Sequence, residues 1–143
     1  MKYYIAYGSN LNLSDMKIRC KGAKLYKTGI LKDYQLVFRY FATIEKKLGA
    51  TTPVGIFSID NKAEDSLDYY EGYPILYRKE NVDVELEDGS VIPCMVYIME
   101  EENYGYTLPS KSYYETIKKG YNDVGLDTSY LEQAVEYTKS LLQ

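Results

Sequence analysis

The sequence predicts an α+β fold in which a mixed β-sheet or small β-barrel is flanked by helices. Three observations support this: strand-forming segments dominate the first part of the chain, a hairpin signal lies in its middle, and helical patterns close it. Neither GxGxxG nor GxxxxGK[ST] occurs, so we expect no nucleotide-binding loop. A chain of 143 residues is expected to form a single domain over 1–143.

The N-terminal part of the chain predicts mostly strands. Residues 2–7 favour a strand that runs into a Gly-Ser-Asn turn, and Asn12 or Ser14 can cap a short helix after it. The later strand-forming segments are separated by polar residues such as Lys32 and Asp33. They predict strands over 23–31, 34–41, 43–45 and 54–59.

A helix is predicted next, because Asn61 followed by Glu64 has the spacing of a capping box. Gly72 ends this helix, and Pro74 prevents its continuation.

The C-terminal part predicts a hairpin and two helices. Strands over 75–86 and 91–99 are joined across an Asp-Gly pair, which is typical of a tight hairpin turn. Helices are expected over 110–119 and 128–142. The apolar side of the last one is formed by Leu131, Val135, Thr138 and Leu142.

Composition excludes several classes of function. The chain has no histidine, so it cannot build a Ser-His-Asp or Cys-His catalytic arrangement and lacks the usual nitrogen ligand of zinc. A net charge of −4 without a basic stripe argues against nucleic acid as a partner. No apolar run reaches the roughly 18 residues of a membrane span, and the N-terminus is unlike a signal peptide, so we expect a cytoplasmic protein. Cys20 and Cys94 are expected to be reduced core thiols.

The first segment able to carry chemistry is Tyr7-Gly8-Ser9-Asn10, at the end of the first strand. Gly8 allows a ligand to come close, successive backbone N–H groups can form an anion-binding nest, and Ser9 and Asn10 add side-chain donors. The alternative is an ordinary turn in which Ser9 or Asn10 caps a helix. The four residues alone leave both interpretations open.

The second is Glu71. On the helix that begins near Asn61, the apolar positions Ala63, Leu67 and Tyr70 form a stripe, and Glu71 lies four residues after Leu67. Burial there, together with the helix C-terminus, would raise the pKa of this carboxyl toward neutrality, which suits a general base. The alternative is a frayed helix end in which Glu71 pairs with Lys79 or Arg78.

Other acidic residues are weaker candidates. Asp68 points mainly away from the apolar stripe and is expected to be solvated or to cap the helix. The carboxylates of Glu100, Glu101 and Glu102 would point in different directions, so an exposed loop is expected there rather than a metal site.

With these residues in view, the chain resembles the γ-glutamylcyclotransferase family, in its small bacterial branch. The resemblance covers nearly the whole chain and rests on a combination of motifs: AYGSNLNLSDMKIRC, VGIFSI, LDYYEGYPILYRKE and PSKSYYETIKKGYNDVGL. One departure is Lys21, where a proline is common after the RC pair. It lies outside the expected pocket.

The resemblance implies a small mixed-strand barrel flanked by helices and a metal-free γ-glutamylcyclotransferase that needs no cofactor. It implies that Glu71 is the acid/base residue, that Tyr7, Gly8, Ser9 and Asn10 cradle the glutamyl end of the substrate, and that Tyr113 lines the same pocket. For Tyr113, a core tyrosine is the alternative. The implied partner is a small γ-glutamyl molecule, and a homodimer is plausible by resemblance.

The implied reaction releases 5-oxoproline from a γ-glutamyl amino acid or amine, by attack of the α-amine on the γ-carbonyl. One carboxylate can perform both proton transfers, so the absence of histidine is consistent with this chemistry. The sequence does not identify the leaving amine. The alternative function is a non-catalytic module that binds a γ-glutamyl compound or 5-oxoproline on the same fold.

Overall fold

The computed structural model describes residues 2–101 and 103–142, and Glu102 of the acidic run lies outside them. Five strands form a closed barrel in the order β1-β3-β2-β4-β5. Their bounds are β1 Lys2–Ala6, β2 Lys24–Arg39, β3 Phe41–Ile59, β4 Tyr77–Leu86 and β5 Val91–Met99. The barrel is mixed, because β1 runs antiparallel to β3 but parallel to β5. The predicted fold class is thus confirmed.

Four helices accompany the barrel within the described residues: α1 Leu13–Arg19, α2 Asn61–Glu71, α3 Lys111–Val124 and α4 Ser129–Leu141. A 3-10 turn over Ser9–Leu11 follows β1 directly. None of the helices in the described part of the chain has the length and apolar character that crossing a bilayer requires.

The prediction of four separate strands between residues 23 and 59 was wrong, because β2 and β3 are two long paired strands. The expected break at Lys32 and Asp33 is an irregularity in the ladder, where Asp33 has φ 66° and faces residues 47–50 of β3 without a ladder partner. The ladder continues past this irregularity, with Leu31 opposite Thr52 and Tyr34 opposite Lys46. Pairing along the whole hairpin therefore overrides the local polar composition.

The helix boundaries follow their caps. Asn12 caps α1 by accepting a hydrogen bond from Asp15 N at 3.1 Å. The cap of α2 is Asp60, which accepts from Ala63 N at 2.8 Å. The prediction of a capping box from Asn61 to Glu64 was therefore wrong, since the cap lies one residue earlier and Ala63 cannot complete a box.

The ends of α2 and α3 lie at glycines. Gly72 ends α2 in the left-handed conformation with φ 68°, as predicted, and β4 begins only at Tyr77 because residues 72–76 form turns. Helix α3 runs past the predicted residue 119 to Val124 and ends at Gly125.

The buried side of α4 differs in part from the prediction. Leu131, Ala134 and Thr138 are fully buried, whereas Leu142 is 52% exposed because α4 ends at Leu141.

Close packing holds the 3-10 turn in place. A Cβ added to Gly120 of α3 would lie 2.6 Å from both Asn12 N and the backbone carbon of Leu11. Only glycine at this position lets α3 approach the turn so closely. Cys20 and Cys94 are free and buried, as predicted.

Candidate active site

A cavity of about 200 Å³ opens where β1 leaves the barrel. It brings together residues from β1 and the turn after it, the start of β3, the end of α2, the start of β4, strand β5 and α3. All six residues predicted for the site line it. The lining is formed by Tyr4, Ile5, Tyr7, Gly8, Ser9, Asn10, Phe41, Ala42, Tyr70, Glu71, Leu76, Tyr77, Tyr97 and Tyr113.

Glu71 is the last residue of α2, and its carboxyl faces the cavity. The helix ends there because Gly72 turns the chain away. One Glu71 carboxylate oxygen, Oε1, accepts a hydrogen bond from Asn10 Nδ2 at 3.2 Å. The acid and the turn after β1 are therefore in direct contact, although they lie 61 residues apart in the sequence.

The alternative in which Glu71 pairs with Lys79 or Arg78 is wrong. Lys79 Nζ instead bonds Glu64 Oε2 at 2.7 Å and Asp68 Oδ1 at 2.9 Å. Arg78 bonds other glutamates on its own side of the barrel. The basic residues after α2 thus leave the Glu71 carboxyl to the cavity.

Burial raises the pKa of the Glu71 carboxyl from its ordinary value of 4.5 to about 7. The Arg19 guanidinium and the hydrogen bond from Asn10 act in the opposite direction and limit the rise of this pKa. Glu71 also lies at the negative end of the α2 dipole, which disfavours its ionised form. A carboxyl with a pKa near neutrality can both accept and return a proton at physiological pH.

Asn10 connects this acid to the rest of the site. Its side chain is buried and uses both ends of its amide: Oδ1 accepts from Arg19 Nη1, and Nδ2 donates to Tyr4 Oη at 2.7 Å as well as to Glu71. Because both ends of the Asn10 side-chain amide are hydrogen-bonded, the rotamer of Asn10 is fixed. The same amide then orients the Glu71 carboxylate.

The turn after β1 lines the cavity with Gly8, Ser9 and Asn10. The first hydrogen bond within this turn runs from Leu11 N to Gly8 O at 3.0 Å, so the backbone N–H groups of Ser9 and Asn10 donate to no carbonyl of the turn. Gly8 has φ −131°, and the structure requires glycine there for space. A Cβ on Gly8 would lie 3.0 Å from Ala42 Cβ and 3.9 Å from Tyr113 Oη.

The two predicted tyrosines differ in their hydrogen bonds. Tyr7 Oη donates to Tyr97 O at 2.7 Å, which ties β1 to β5 across the cavity. Tyr113 Oη accepts from Ala42 N at 3.0 Å, so its own proton remains to be donated. Burial raises the pKa of the Tyr113 hydroxyl, which keeps that proton in place at neutral pH.

Sequence reasoning missed Arg19 and the tyrosines of the barrel wall. The signal for Arg19 was present, because Met16, Arg19 and Cys20 have the i, i+3, i+4 spacing of one helix face. Tyr4 and Tyr97 gave no comparable signal. A strand tyrosine can be assigned to a cavity only once the register that brings β1 beside β5 is known.

Two expectations about α2 need correction. Tyr70, placed on the apolar stripe, is 44% exposed and lies at the rim with the Arg19 guanidinium 3.7 Å from its ring centre. Asp68, expected to be solvated or to cap the helix, accepts hydrogen bonds from Tyr97 Oη and Lys79 Nζ. It therefore contacts the back of the cavity wall.

Within the described residues, no three potential ligands among His, Cys, Asp and Glu are grouped as a metal would need.

Known proteins resemble this chain in sequence and in structure. Residues 4–115 match the family described as gamma-glutamyl cyclotransferase, AIG2-like. The human gamma-glutamylcyclotransferase is 29% identical over 143 residues, which cover 91% of this chain and 75% of the human protein. The bovine protein of the same name is also 29% identical, over 89% of this chain and 73% of its own length.

Two solved structures share the fold. A gamma-glutamyl cyclotransferase superposes with a TM-score of 0.84 at 27% identity, over 93% of this chain and 85% of its own. YkqA from Bacillus subtilis superposes with a TM-score of 0.78 at 22% identity, over 97% of this chain and 54% of its own, and at that identity it supports the fold alone.

Proposed function

The chain belongs to the gamma-glutamyl cyclotransferase, AIG2-like family, and on that premise we propose that it converts a γ-glutamyl amino acid or amine to 5-oxoproline and the free amine. The observation that carries this proposal is the Glu71 carboxyl, which has a pKa near 7 and hydrogen-bonds Asn10 in a cavity of about 200 Å³. A cavity of this size suits a small molecule rather than a polymer.

In the proposed mechanism, the Glu71 carboxylate accepts a proton from the α-ammonium of the substrate. We expect Glu71 within about 2.6–3.2 Å of that nitrogen in the complex. The freed amine attacks the γ-carbonyl carbon, and the new C–N bond closes a five-membered ring. The proton held by Glu71 passes to the leaving nitrogen as its bond to the carbonyl carbon breaks. The ring nitrogen still carries a second proton of the former α-ammonium, which Glu71 then accepts and passes to the released amine. No covalent enzyme intermediate is required.

The turn after β1 would stabilise the negative charge that develops on the γ-carbonyl oxygen or on the α-carboxylate. The Ser9 and Asn10 amides and the Tyr113 hydroxyl are the donors available for this role. Holding the glutamyl unit bent is the larger task, because well-oriented intramolecular reactions reach effective molarities of about 10⁵–10⁸ M. Tyr7 would serve it by fixing the cavity wall through Tyr97.

Replacing Glu71 tests the proposal. Purified protein should release 5-oxoproline from a panel of γ-glutamyl amino acids and amines, and Glu71→Gln should lower kcat by about 10²–10⁴-fold because glutamine cannot accept the proton. Glu64→Gln is the matched control, because Glu64 lies on the same helix but pairs with Lys2 and Lys79. Wild-type turnover in Glu71→Gln would refute the role of Glu71.

Binding without turnover in the wild-type protein would instead support the non-catalytic module. The proposed homodimer is checked separately, by light scattering of the purified protein.

A further inference from the structure

Four aromatic rings form a continuous surface that begins inside the cavity and ends in solvent. The Tyr113 and Phe41 rings line the cavity, with centroids 5.8 Å apart. Phe41 in turn contacts Tyr40 at 5.2 Å and Tyr104 at 6.3 Å, and these last two rings stack on each other at 5.8 Å. Tyr40 is 59% exposed and Tyr104 40% exposed. We call Tyr40, Phe41, Tyr104 and Tyr113 the aromatic shelf.

The exposed part of the shelf is held in place by specific contacts. Tyr40 alone connects β2 to β3 and has φ 70°, a backbone conformation that a bulky residue rarely adopts. Arg39 Nη1 donates to Tyr104 O at 2.9 Å, and Thr107 N donates to Phe38 O at 3.1 Å. These bonds fix the loop that carries Tyr104 against the end of the hairpin.

The shelf lies where the departing part of a substrate can reach it. Glu71 and the turn after β1 form the polar end of the cavity, which suits the charged glutamyl unit. A second exposed ring at the rim, Tyr70, already has the Arg19 guanidinium 3.7 Å from its centre. The shelf therefore offers the larger uncovered aromatic surface next to the cavity.

Resting on the proposed function, we propose that the aromatic shelf is the leaving-group subsite and that it favours substrates whose amine carries an aromatic or large apolar group. Such a group would stack on the Tyr104 and Tyr40 rings or meet them edge-to-face. It would remove apolar surface of both partners from water. The shelf would then set the preference for the amine, while Glu71 performs the proton transfers.

A cationic amine fits the shelf less well. The charged group that bonds the shelf backbone is itself a cation, Arg39, and it pairs with Glu45 Oε2 at 2.8 Å. The other oxygen of Glu45 accepts from Tyr106 Oη at 2.7 Å. The Glu45 carboxylate is thus already engaged by these two groups and leaves a cationic amine no free acceptor oxygen.

Three γ-glutamyl amides test the subsite: the amides of phenethylamine, ethylamine and cadaverine. In the wild-type protein we expect kcat/KM for the phenethylamide to exceed that for the ethylamide about tenfold. The cadaverine amide should resemble the ethylamide. Equal values for phenethylamide and ethylamide, or a preference for cadaverine, would overturn the inference.

Two variants connect the preference to the shelf. Tyr104→Ala removes one exposed ring, and Tyr40→Gly removes the other at a position whose left-handed backbone conformation glycine adopts without strain. Each should reduce the preference for the phenethylamide over the ethylamide to about two- to threefold. Tyr26→Ala is the control, because Tyr26 is equally an exposed tyrosine stacked on another, Tyr3 at 4.9 Å. An unchanged preference in Tyr104→Ala would contradict the subsite.

A binding measurement separates this inference from the proposed function. Calorimetry with Glu71→Gln protein compares the affinities of the phenethylamide and the ethylamide without turnover. A preference of about tenfold for the phenethylamide supports the shelf even if no amide yields 5-oxoproline, in which case only the proposed function fails. Equal affinities reject the shelf even if turnover is observed.

Discussion

Helix α2 carries one glutamate in its first turn and another as its last residue, and the pKa values of the two carboxyls are shifted in opposite directions. Glu64 bonds Lys2 Nζ at 2.9 Å and Lys79 Nζ at 2.7 Å. Burial alone would raise its pKa, but these two lysines hold the pKa of Glu64 below its usual value. Burial raises the pKa of Glu71 to about 7, and only Arg19 and Asn10 oppose it. The two residues lie two turns apart, so they share a side of the helix.

The comparison shows that neighbouring charges, rather than burial alone, decide which carboxyl keeps a proton. Burial disfavours the charged form of both glutamates. The first turn adds two ammonium groups and the positive end of the helix dipole, whereas the last turn adds the negative end. The Arg19 guanidinium donates to Asn10 and covers the Tyr70 ring, so its charge acts on Glu71 from behind the amide.

The largest expected effect of replacing one of these two glutamates is a change in how the free energy of unfolding depends on pH. Between pH about 4.5 and 7 the folded protein keeps the Glu71 proton that the unfolded chain has released, so the free energy of unfolding falls as pH rises. The side chain of the Glu71→Gln variant does not titrate, so this fall in the free energy of unfolding with rising pH disappears. We expect the variant to exceed wild type by up to about 3 kcal/mol at about pH 8 and to match it near pH 4, as measured by urea denaturation.

Glu64→Gln should show the opposite sign. The pKa of Glu64 is lowered on folding, so its contribution is present above pH about 4.5 and is lost as pH falls. Removing the carboxylate leaves Lys2 without this partner, and we expect a loss of about 1–2 kcal/mol at about pH 8. Glu71→Gln protein that is no more stable than wild type at this pH would refute the raised pKa of Glu71.

The same contrast explains what could be predicted from the sequence. The position of Glu71 beside an apolar stripe and the Gly72 end were readable, because helix period and capping are local properties. The lysine pairs of Glu64 and the link from Asp68 to Tyr97 were not, because they depend on which strands of the barrel lie beside α2. Local polar residues gave a wrong prediction as well: Lys32 and Asp33 indicated a break between strands, but the β2–β3 ladder continues on both sides of a local irregularity there.

Replacing Arg19 tests what sets the pKa of Glu71 in the last turn of α2. The expected effect is smaller than the effect on stability. Arg19→Met keeps much of the side-chain stem but removes the charge that lowers the pKa of Glu71, so this pKa should rise further. We expect the ascending limb of kcat/KM against pH near 7 in wild type, and we expect it at higher pH in the variant. At about pH 7 the variant should be roughly tenfold less active.

Lys17→Met, an exposed cation on the same helix, controls for the loss of positive charge from α1. A limb that stays in place in Arg19→Met, or moves to lower pH, would show that Arg19 does not set the state of Glu71.

The smallest expected effect concerns Asp68, which lies on α2 between Glu64 and Glu71 and contacts groups near both. Its carboxylate bonds Lys79 on the charged side and accepts from the Tyr97 hydroxyl on the cavity side. Asp68→Ala leaves that buried hydroxyl without its acceptor, so we expect a loss of about 1 kcal/mol in stability and a KM raised about threefold, with kcat nearly unchanged. Asp68→Asn keeps an acceptor oxygen for Tyr97 and should restore KM although the charge is gone.

If KM were raised as much in Asp68→Asn as in Asp68→Ala, the cavity would depend on the charge of the Asp68–Lys79 pair and not on the position of Tyr97. The first turn of α2 would then influence the site directly, and the separation between a charged end and a proton-transfer end of the helix would no longer hold. Steady-state kinetics of the two variants beside Glu64→Gln, which alters the same lysine without touching Tyr97, distinguish these outcomes.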